Sequence, residues 1–244
     1  MKSDVVKMSM FKREKIKFVG GNIKLGNMGS FSKLYGNDTF TTPYGDVTGT
    51  CGKHCDGCKE HCYVRKSYRY GSVIKNHAKN TLAFRNDMIR AFTDLHLQLT
   101  RKRKPFDVIR INQSGEIETT AELCSWIDLA RRHPETHFYI YTKNYFAVFE
   151  MIALLTPDYI PDNFTILISI WHEIGVNEYK LLSGYSFIKA FVYLDGFDYA
   201  KYDIIPDTGC FAYDKYGKLN HDITCDRCRK CFNRIHNVIG CAAH

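Results

Sequence analysis

The sequence lacks any long apolar run. Its longer apolar stretches, such as residues 187–194, include a lysine and fall far short of the roughly 20 residues that a membrane-spanning helix requires. Residues 1–18 carry lysines throughout and no apolar stretch ahead of a small-residue cleavage site, which is unlike a secretory signal. We therefore expect no membrane segment, and we expect the protein to stay in a reducing cytoplasm.

Proline and glycine are also scarce. The 244 residues include 6 prolines and 17 glycines, while hydrophobic residues make up 45% and charged residues 25%. This composition excludes disordered, collagen-like and low-complexity chains. The length lies at the upper end of what one domain takes, and α/β barrels often run that long. The sequence predicts one domain, or one domain with a small appendage.

Cysteine, by contrast, is abundant, with ten residues. Stable disulfides are rare in a reducing compartment, where clustered thiols usually bind metal. Most of these thiols fall in two clusters: Cys51, Cys55, Cys58 and Cys62, and then Cys210, Cys225, Cys228 and Cys231. Cys124 lies on the apolar side of a predicted helix and is expected in the core. We therefore predict two metal sites.

Strands and helices alternate through the second half of the chain. Apolar spacing predicts one long helix that includes Leu82 and Leu99 and ends near Lys104. The expected strands then cover residues 107–112, 137–142, 164–170 and 187–194. One helix is expected to begin at the capping pair Thr119 and Glu122. Two further helices are expected over residues 145–155 and 177–182. This alternation implies a parallel sheet, and we expect a partial (β/α) barrel, with an open doubly wound sheet as the alternative.

These patterns divide the chain into three parts. Residues 1–50 are punctuated by glycines and predict an irregular segment of short strands and loops. Residues 51–205 are expected to form the partial barrel with the first cysteine loop. Residues 206–244 are expected to form a cysteine-rich C-terminal extension.

The first cysteine cluster has the spacing C-x3-C-x2-C through Cys51, Cys55 and Cys58. This resembles the loop of the radical S-adenosylmethionine (SAM) enzymes, in which three thiolates hold a [4Fe-4S] cluster and the fourth iron is left for SAM. Those enzymes place an aromatic residue just before the third cysteine, where this chain has Gly57. Cys51, Cys58 and Cys62 are therefore an alternative set of three ligands. If Cys62 instead closes the site, the alternative is a structural four-cysteine zinc site.

The second cluster combines Cys210 with the triplet C-x2-C-x2-C of Cys225, Cys228 and Cys231. This spacing is typical of ferredoxin-like runs, in which a distant fourth cysteine completes the ligands of a [4Fe-4S] cluster. Cys241 is an alternative to Cys210 as the fourth ligand. A four-cysteine zinc site is the competing interpretation.

Ser114, Gly115 and Glu116 follow the first strand of the alternating part. They resemble the glycine-glycine-glutamate motif of radical SAM barrels, whose backbone helps to hold the methionyl amine of SAM. Lys143 and Ser169 end or lie within the next two strands, and their side chains are candidates for the same pocket. An ordinary strand-to-helix loop is the alternative for the tripeptide, and a loop or core position is the alternative for the other two residues.

The chain as a whole also resembles a family encoded largely by bacteriophages, called gene product 88. The resemblance runs through Gly21-Asn22-Ile23-Lys24-Leu25-Gly26, His61-Cys62-Tyr63, Ile109-Arg110-Ile111-Asn112-Gln113-Ser114-Gly115-Glu116, Ala130-Arg131-Arg132-His133-Pro134, Phe138-Tyr139, Tyr141-Thr142-Lys143 and the C-terminal cysteine triplet. It implies a phage or prophage origin, and hence the cytoplasm of a bacterial host, and it supports the iron-sulfur barrel.

Two functions follow from these patterns. The first is a radical SAM-like enzyme that binds SAM and two [4Fe-4S] clusters and takes electrons from a donor such as flavodoxin or ferredoxin. It abstracts hydrogen from an unknown substrate, for which nucleic acid is one candidate. The second is a nucleic-acid-binding protein with structural zinc or iron-sulfur sites. The formal charge of +8 supports it, because cations interleaved with aromatic rings suit single-stranded nucleic acid. Its candidate residues are Arg65, Lys66, Arg69, Arg101 to Lys104, Arg227 to Lys230, Tyr63, Tyr68 and Tyr70.

Overall fold

A computed structural model describes residues 15–20, 24–52, 56–101, 106–211, 220 and 222–242, and every structural statement below concerns these residues. The strands are β1 (Val19–Gly20), β2 (Gly29–Ser30), β3 (Thr39–Thr42), β4 (Gly45–Thr48), β5 (Val108–Ile111), β6 (His137–Thr142), β7 (Phe164–Ile170), β8 (Ile188–Leu194), β9 (Thr208–Gly209) and β10 (Val238–Ala242). The α-helices are α1 (Asp56–Glu60), α2 (Val64–Ser67), α3 (Gly71–Asn86), α4 (Met88–Arg101), α5 (Thr120–Arg131), α6 (Tyr145–Leu154), α7 (Val176–Leu182) and α8 (Cys225–Cys228). Short 3-10 helices cover Pro157–Tyr159 and Tyr199–Tyr202.

One sheet of eight strands forms the centre of the fold, in the order β1-β2-β5-β6-β7-β8-β10-β9. The pairs from β2 to β9 are parallel, and β1 pairs with β2 antiparallel. The strands β2, β5, β6, β7, β8 and β10 follow chain order and only the two-residue β9 lies out of order at the edge, whereas a doubly wound sheet reverses its order at a central switch point. The predicted mostly parallel α/β sheet is therefore confirmed, and the doubly wound alternative is wrong.

The sheet is open. Strands β1 and β9 lie at its two edges, and no pairing among the described strands joins them. The described strands therefore do not form the expected barrel. Most of them follow each other in the sheet in the order that a (β/α) barrel would have, but the sheet does not close. A separate hairpin, β3 with β4, lies outside this sheet.

The two faces of the sheet carry different side chains because residues alternate along each strand. One face packs the apolar side chains of β5 to β8 against α3 to α7, in a core that includes Ile111, Trp126, Ile140 and Ile166. We call this the helix-covered face. The opposite face carries Arg110, Tyr139, Tyr141, Lys189 and Phe191, which share one side through the strand register. We call this the cavity face.

The long helix predicted to end near Lys104 is instead two helices. Asp87 interrupts it with φ −158° and ψ 78°, and its side chain accepts a hydrogen bond from the Arg90 backbone N–H at 3.0 Å. Asp87 thereby caps α4, although apolar spacing continues across the break. Ile89 belongs to the apolar spacing that predicted the single helix, but it is 83% exposed. Residues 102–105 lie outside the described residues, and no described helix is long and apolar enough to cross a membrane.

The C-terminal segment joins the central sheet. Strand β10 pairs parallel to β8 on one side and to β9 on the other, with Val238 opposite Ala190. The cysteine-rich extension expected over residues 206–244 therefore contributes two strands to the same sheet. The run Val238–Ala242 is apolar and nearly all buried, which is the composition of an interior parallel strand.

The N-terminal segment supports the first site loop. Backbone hydrogen bonds from Phe31 to Arg110 (3.0 Å) and from Lys33 to Ser114 (2.9 Å) extend the pairing of β2 with β5. The Lys33 side chain is fully buried, and its Nζ donates to both carboxylate oxygens of Glu122, at 2.8 and 2.7 Å. Part of the segment predicted as irregular is therefore fixed against α5 beneath the site.

Candidate active site

A single cavity lies at the carboxyl ends of the parallel strands. Thiols from both sequence clusters line it: Cys51, Cys58 and Cys62 from the first, and Cys210, Cys225 and Cys231 from the second. Carboxyl strand ends of one sheet meet at one edge, which is where (β/α) proteins place their sites. The sequence predicted two separate clusters; the structure brings six of their thiols to one cavity.

The first thiol group is held by the end of the β3–β4 hairpin and by the turn after it. The Cys51 backbone N–H donates to the Gly36 carbonyl at 2.7 Å. Burial raises the pKa of the Cys51 thiol to about 12, and the nearby Glu116, Cys62 and Cys58 add to that effect. Burial likewise raises the pKa of Cys62, beside Cys58. These thiols lie close enough to influence one another, and binding a metal as thiolates would release their protons.

The second thiol group surrounds α8. The Cys225 backbone N–H donates to the Lys24 carbonyl at 2.8 Å. The Tyr141 hydroxyl donates to Cys231 Sγ at 2.9 Å. Burial raises the pKa of the Cys231 thiol to about 12. This group is therefore anchored both to the N-terminal segment and to the cavity face of β6.

Cys241 lies beside Cys210, on the neighbouring strand. The Cys210 backbone N–H donates to the Gly240 carbonyl at 2.7 Å. The pKa of Cys241 is raised above its ordinary value, mainly by a hydrogen bond with the Cys210 side chain and secondly by burial. Both thiols that the sequence offers as the fourth ligand thus lie at one place.

The fit to a bound metal is incomplete in this conformation. Within the described residues, no group of three or more His, Cys, Asp or Glu side chains is arranged to hold a metal ion. Cys55 and His54 lie outside those residues, and Cys228 does not line the cavity. The choice between Cys55 and Cys62 stays a prediction, and so does the choice between iron-sulfur and zinc.

The loop of Ser114, Gly115 and Glu116 borders the same cavity. Ser114 Oγ donates to the Lys33 carbonyl at 2.9 Å. Gly115 has φ +82°, and a Cβ there would lie 2.6 Å from Thr50 Oγ1 and 2.9 Å from Lys33 Cβ. The Glu116 backbone N–H donates to Thr50 Oγ1 at 2.8 Å, directly before Cys51. The loop is therefore locked to the backbone that presents the first thiol group, and only glycine fits at its centre.

The Glu116 carboxylate braces two strand ends. It accepts hydrogen bonds from Thr142 Oγ1 (2.7 Å), the Lys143 backbone N–H (2.8 Å) and the Ile117 backbone N–H (2.8 Å). Burial raises the pKa of Glu116, while these hydrogen bonds act in the opposite direction. Its oxygens are engaged within the protein, so the side chain positions the end of β6.

Lys143 and Ser169 both line the cavity. Lys143 follows β6 directly, where the Glu116 brace fixes its backbone. Ser169 lies near the end of β7, and its carbonyl accepts a hydrogen bond from the Tyr145 hydroxyl at 2.7 Å. The structure therefore gathers all five residues predicted to bind SAM around one cavity.

A polar and aromatic part of the cavity wall is not predicted by the sequence patterns above. Arg110 Nη2 donates to the Tyr63 hydroxyl at 3.2 Å, and its Cζ lies 4.6 Å from the centre of the Tyr141 ring. Trp171 stacks on Tyr193 with ring centres 3.8 Å apart. The period of two along β5 and β6 was a usable signal, because an arginine inside a buried apolar strand has to face something polar.

Only part of the predicted nucleic-acid surface is available. Tyr68 is packed, because its hydroxyl lies 3.0 Å from His77 Nδ1 and accepts a hydrogen bond from the Tyr35 backbone N–H at 3.1 Å. Its expected role as an exposed stacking ring is therefore wrong. Tyr63 lines the cavity instead of the outer surface.

A smaller basic surface remains beside the first thiol group. Arg65, Lys66 and Arg69 are exposed, and Tyr70 is 52% exposed. The Arg69 guanidinium lies 4.8 Å from the centre of the Tyr70 ring. Arg101, Arg227 and Arg229 are exposed elsewhere, while residues 102–104 lie outside the described residues.

Fold and site together define an α/β protein with an open, mainly parallel sheet whose strand ends enclose a cysteine-lined cavity. The family model of gene product 88 matches residues 10–234, and the chain belongs to this family. No curated protein matches the chain. No solved structure matches it either.

Proposed function

We propose that this protein is a radical SAM-like iron-sulfur enzyme that cleaves SAM reductively and abstracts hydrogen from a substrate held in the cavity. One observation carries the proposal: thiols from two distant sequence clusters line one cavity together with Ser114, Gly115 and Glu116. A purely structural metal site has no need of a shared cavity. The winding order of the sheet, which is that of a (β/α) barrel, supports the same proposal.

The donor set suits iron-sulfur chemistry, because thiolates are the usual ligands of such clusters. Cys51 and Cys58, with Cys55 or Cys62, would hold the SAM-binding cluster. The second cluster would be held by Cys225, Cys228 and Cys231 with Cys210 or Cys241. When bound, the reduced first cluster supplies the electron that cleaves SAM to methionine and a 5′-deoxyadenosyl radical, the species that takes hydrogen from the substrate.

The remaining residues would position SAM and the substrate and would shield them from water. The brace from Glu116 to Thr142 and Lys143 fixes the loop that would face SAM. The stacked rings of Trp171 and Tyr193 line the cavity and would shield a bound substrate from water. Such fixed orientation and exclusion of water are what a protein adds to cofactor chemistry.

The second thiol group would act on the substrate side. Because Cys210, Cys225 and Cys231 line the same cavity as the first group, a cluster held there would face the substrate. This position favours a role in anchoring substrate over a role in electron relay alone. The electrons would come from an external donor such as flavodoxin or ferredoxin.

The test is anaerobic reconstitution of the full chain, followed by iron, sulfide and 5′-deoxyadenosine assays. Two [4Fe-4S] clusters would give about eight irons and eight sulfides per chain. Cys51→Ala should abolish SAM cleavage, and Cys225→Ala should leave about four irons. Cys124→Ala is the matched control, since Cys124 packs against the helix-covered core. Stoichiometric zinc without sulfide, or an intact cluster that neither binds nor cleaves SAM, contradicts the proposal.

Separate alanine variants of Cys55 and Cys62 identify the third ligand. The variant that retains SAM cleavage marks the thiol that is not needed. If both variants retain a cluster but wild type does not bind SAM, Cys62 closes the site and the role is structural.

A second candidate function is binding of single-stranded nucleic acid through the exposed cations beside the first thiol group. The observation in its favour is the exposure of Arg65, Lys66 and Arg69 next to Tyr70. If all three cations contact phosphate, changing them together to Gln should reduce the log-log salt slope of binding by about 2. Salt-insensitive binding by both proteins would remove this candidate.

A further inference from the structure

Arg110 and Asn112 form a polar pair on the cavity side of β5. They lie two residues apart and both line the cavity. Arg110 is 8% exposed and Asn112 is 4% exposed. A guanidinium and an amide buried this deeply require partners, because burial removes the water that would otherwise bind them.

The protein holds the Arg110 guanidinium in place, and the described groups that act on its charge are tyrosine hydroxyls and the Cys225 thiol rather than a carboxylate. The contacts with the Tyr63 hydroxyl and the Tyr141 ring fix its position. Its buried Nε has no hydrogen-bond partner. Within the described residues, no Asp or Glu carboxylate lies at ion-pair distance from it. A fixed cation with a spare N–H donor suits a planar or tetrahedral oxyanion.

Asn112 points to a ligand independently of charge. Its Nδ2 and its Oδ1 are both buried and both lack a protein partner. Its backbone lies in the left-handed region, with φ 50°, a conformation that asparagine adopts more readily than most residues. An amide whose two ends are both buried and unpaired in a residue that lines a cavity calls for partners there, and it offers one acceptor and two donors.

We propose that Arg110 and Asn112 bind an oxyanion, a carboxylate or a phosphate, on the substrate of this cavity. Arg110 supplies the cation and its N–H donors, and Asn112 hydrogen-bonds the groups next to the anion. The assignment of this ligand as substrate rests on the proposed function; the oxyanion site itself does not. Because thiols of both groups line the same cavity, an anion held there would share the cavity with both groups.

The experiment is calorimetric titration of the anaerobically reconstituted full chain with inorganic phosphate and, separately, with succinate. We expect one of these anions to bind with a stoichiometry near one per chain, which separates a phosphate site from a carboxylate site. Arg110→Lys removes the planar fork but keeps the charge, and Asn112→Asp keeps the shape but adds a negative charge. Each should weaken binding about 10- to 100-fold, as expected for hydrogen bonds to a charged group.

Arg131→Lys is the matched control. The Arg131 guanidinium also lies over a tyrosine ring, 3.9 Å from the centre of Tyr159, but away from the cavity. Its variant should bind the anion as wild type does. Circular dichroism and iron content verify that each variant is folded and loaded, and if Arg110→Lys fails that check, Asn112→Asp decides the outcome.

Three results would overturn the inference. The first is that neither anion binds, in which case water or the thiolates satisfy these side chains. The second is binding that both cavity variants retain in full. The third is displacement of the anion by SAM at a one-to-one ratio, which would assign Arg110 to the cofactor. Failure of the proposed function is distinguishable, because it would show as anion binding without any SAM cleavage.

Discussion

The two faces of the central sheet are built by the same strands from opposite kinds of side chain. In β6, Phe138 and Ile140 pack into the helix-covered core, while Tyr139 and Tyr141 face the cavity side. Adjacent residues therefore have separate tasks, one in the hydrophobic core and one beside the thiols. The comparison shows that alternate side chains of one strand serve different ends: one set packs the helix-covered core and the other set lies on the cavity face.

The largest expected effect comes from the helix-covered face. Ile140 is fully buried, so Ile140→Ala removes apolar contacts and leaves a cavity. The free energy of unfolding should fall by about 2 to 5 kcal/mol. Denaturant unfolding measures it, and a loss below about 1 kcal/mol would show that this face does not dominate stability.

The next effect tests whether residues at the cavity edge tolerate change. Gly115→Ala would force an alanine into the left-handed region and against Thr50 and the Leu34 carbonyl, which would lie 3.0 Å from its Cβ. We expect a loss of about 2 to 4 kcal/mol from backbone strain and overpacking together. Gly184→Ala is the control, because nothing lies within 4 Å of a Cβ there. Equal stability of the two variants in thermal unfolding would contradict the steric argument.

A pH effect is expected from the start of β6. Burial, with Arg234, Lys189 and Arg229 nearby, lowers the pKa of His137 to about 4 from 6.5. Its neutral form hydrogen-bonds with Thr165 Oγ1 at 3.0 Å. The unfolded chain takes up the proton first, so the stability that His137 contributes is complete above pH 6.5 and is lost as the pH falls toward 4.

The loss has a maximum slope of about 1.4 kcal/mol per pH unit for one group. His137→Gln should remove that part of the pH dependence, as measured by the difference in unfolding free energy between the two proteins from pH 7 to pH 4. Parallel curves would show that His137 titrates normally in the folded state.

The smallest expected effect on stability is at Tyr141, which adjoins Ile140 in β6 but lies on the cavity face. Tyr141→Phe removes the hydroxyl that donates to Cys231 Sγ and keeps the ring. Stability should change by about 1 kcal/mol, much less than for its neighbour Ile140, while the visible absorption of the iron-sulfur cluster proposed at the second thiol group should shift after reconstitution. Unchanged absorption with a large loss of stability would reverse the division between the two faces.

Much of the sheet was predictable because its strands are local signals. Strands β6 and β7 have the predicted bounds, since each is a continuous apolar or aromatic run between turn residues. The cap of α5 was also predictable: Thr119 Oγ1 accepts a hydrogen bond from the Glu122 backbone N–H at 3.1 Å. These features depend on neighbours along the chain.

Other features were not predictable, because they depend on contacts between residues that are distant in the sequence. Apolar spacing continues across Asp87, so one helix was expected where the side chain of Asp87 begins a second. Strand β10 was overlooked because its Cys241 was considered only as a ligand. Glu122 completes only half of the predicted capping box, since its carboxylate also pairs with the buried Lys33. Tertiary contacts decided each of these.

The candidate site was predictable in its residues but not in its shape. The spacing of the cysteines gave the thiols, and strand ends gave Ser114, Gly115 and Glu116. Their meeting in one cavity depends on the winding order of the sheet, which local sequence does not contain. The roles of Arg110 and Asn112 were not predicted, because the face to which each side chain belongs depends on how β5 pairs within the sheet.

The position of β10 between β8 and β9 has a consequence for biosynthesis. The first thiol group belongs to residues 51–62, whereas β10, which carries Cys241 and orders Cys210 beside it, is formed by residues 238–242. A ribosome therefore releases the first group long before the wall opposite it exists. If the cavity binds metal as proposed, loading of the finished site has to follow translation of β10, and a nascent chain stalled before residue 238 would carry the first thiols without that strand.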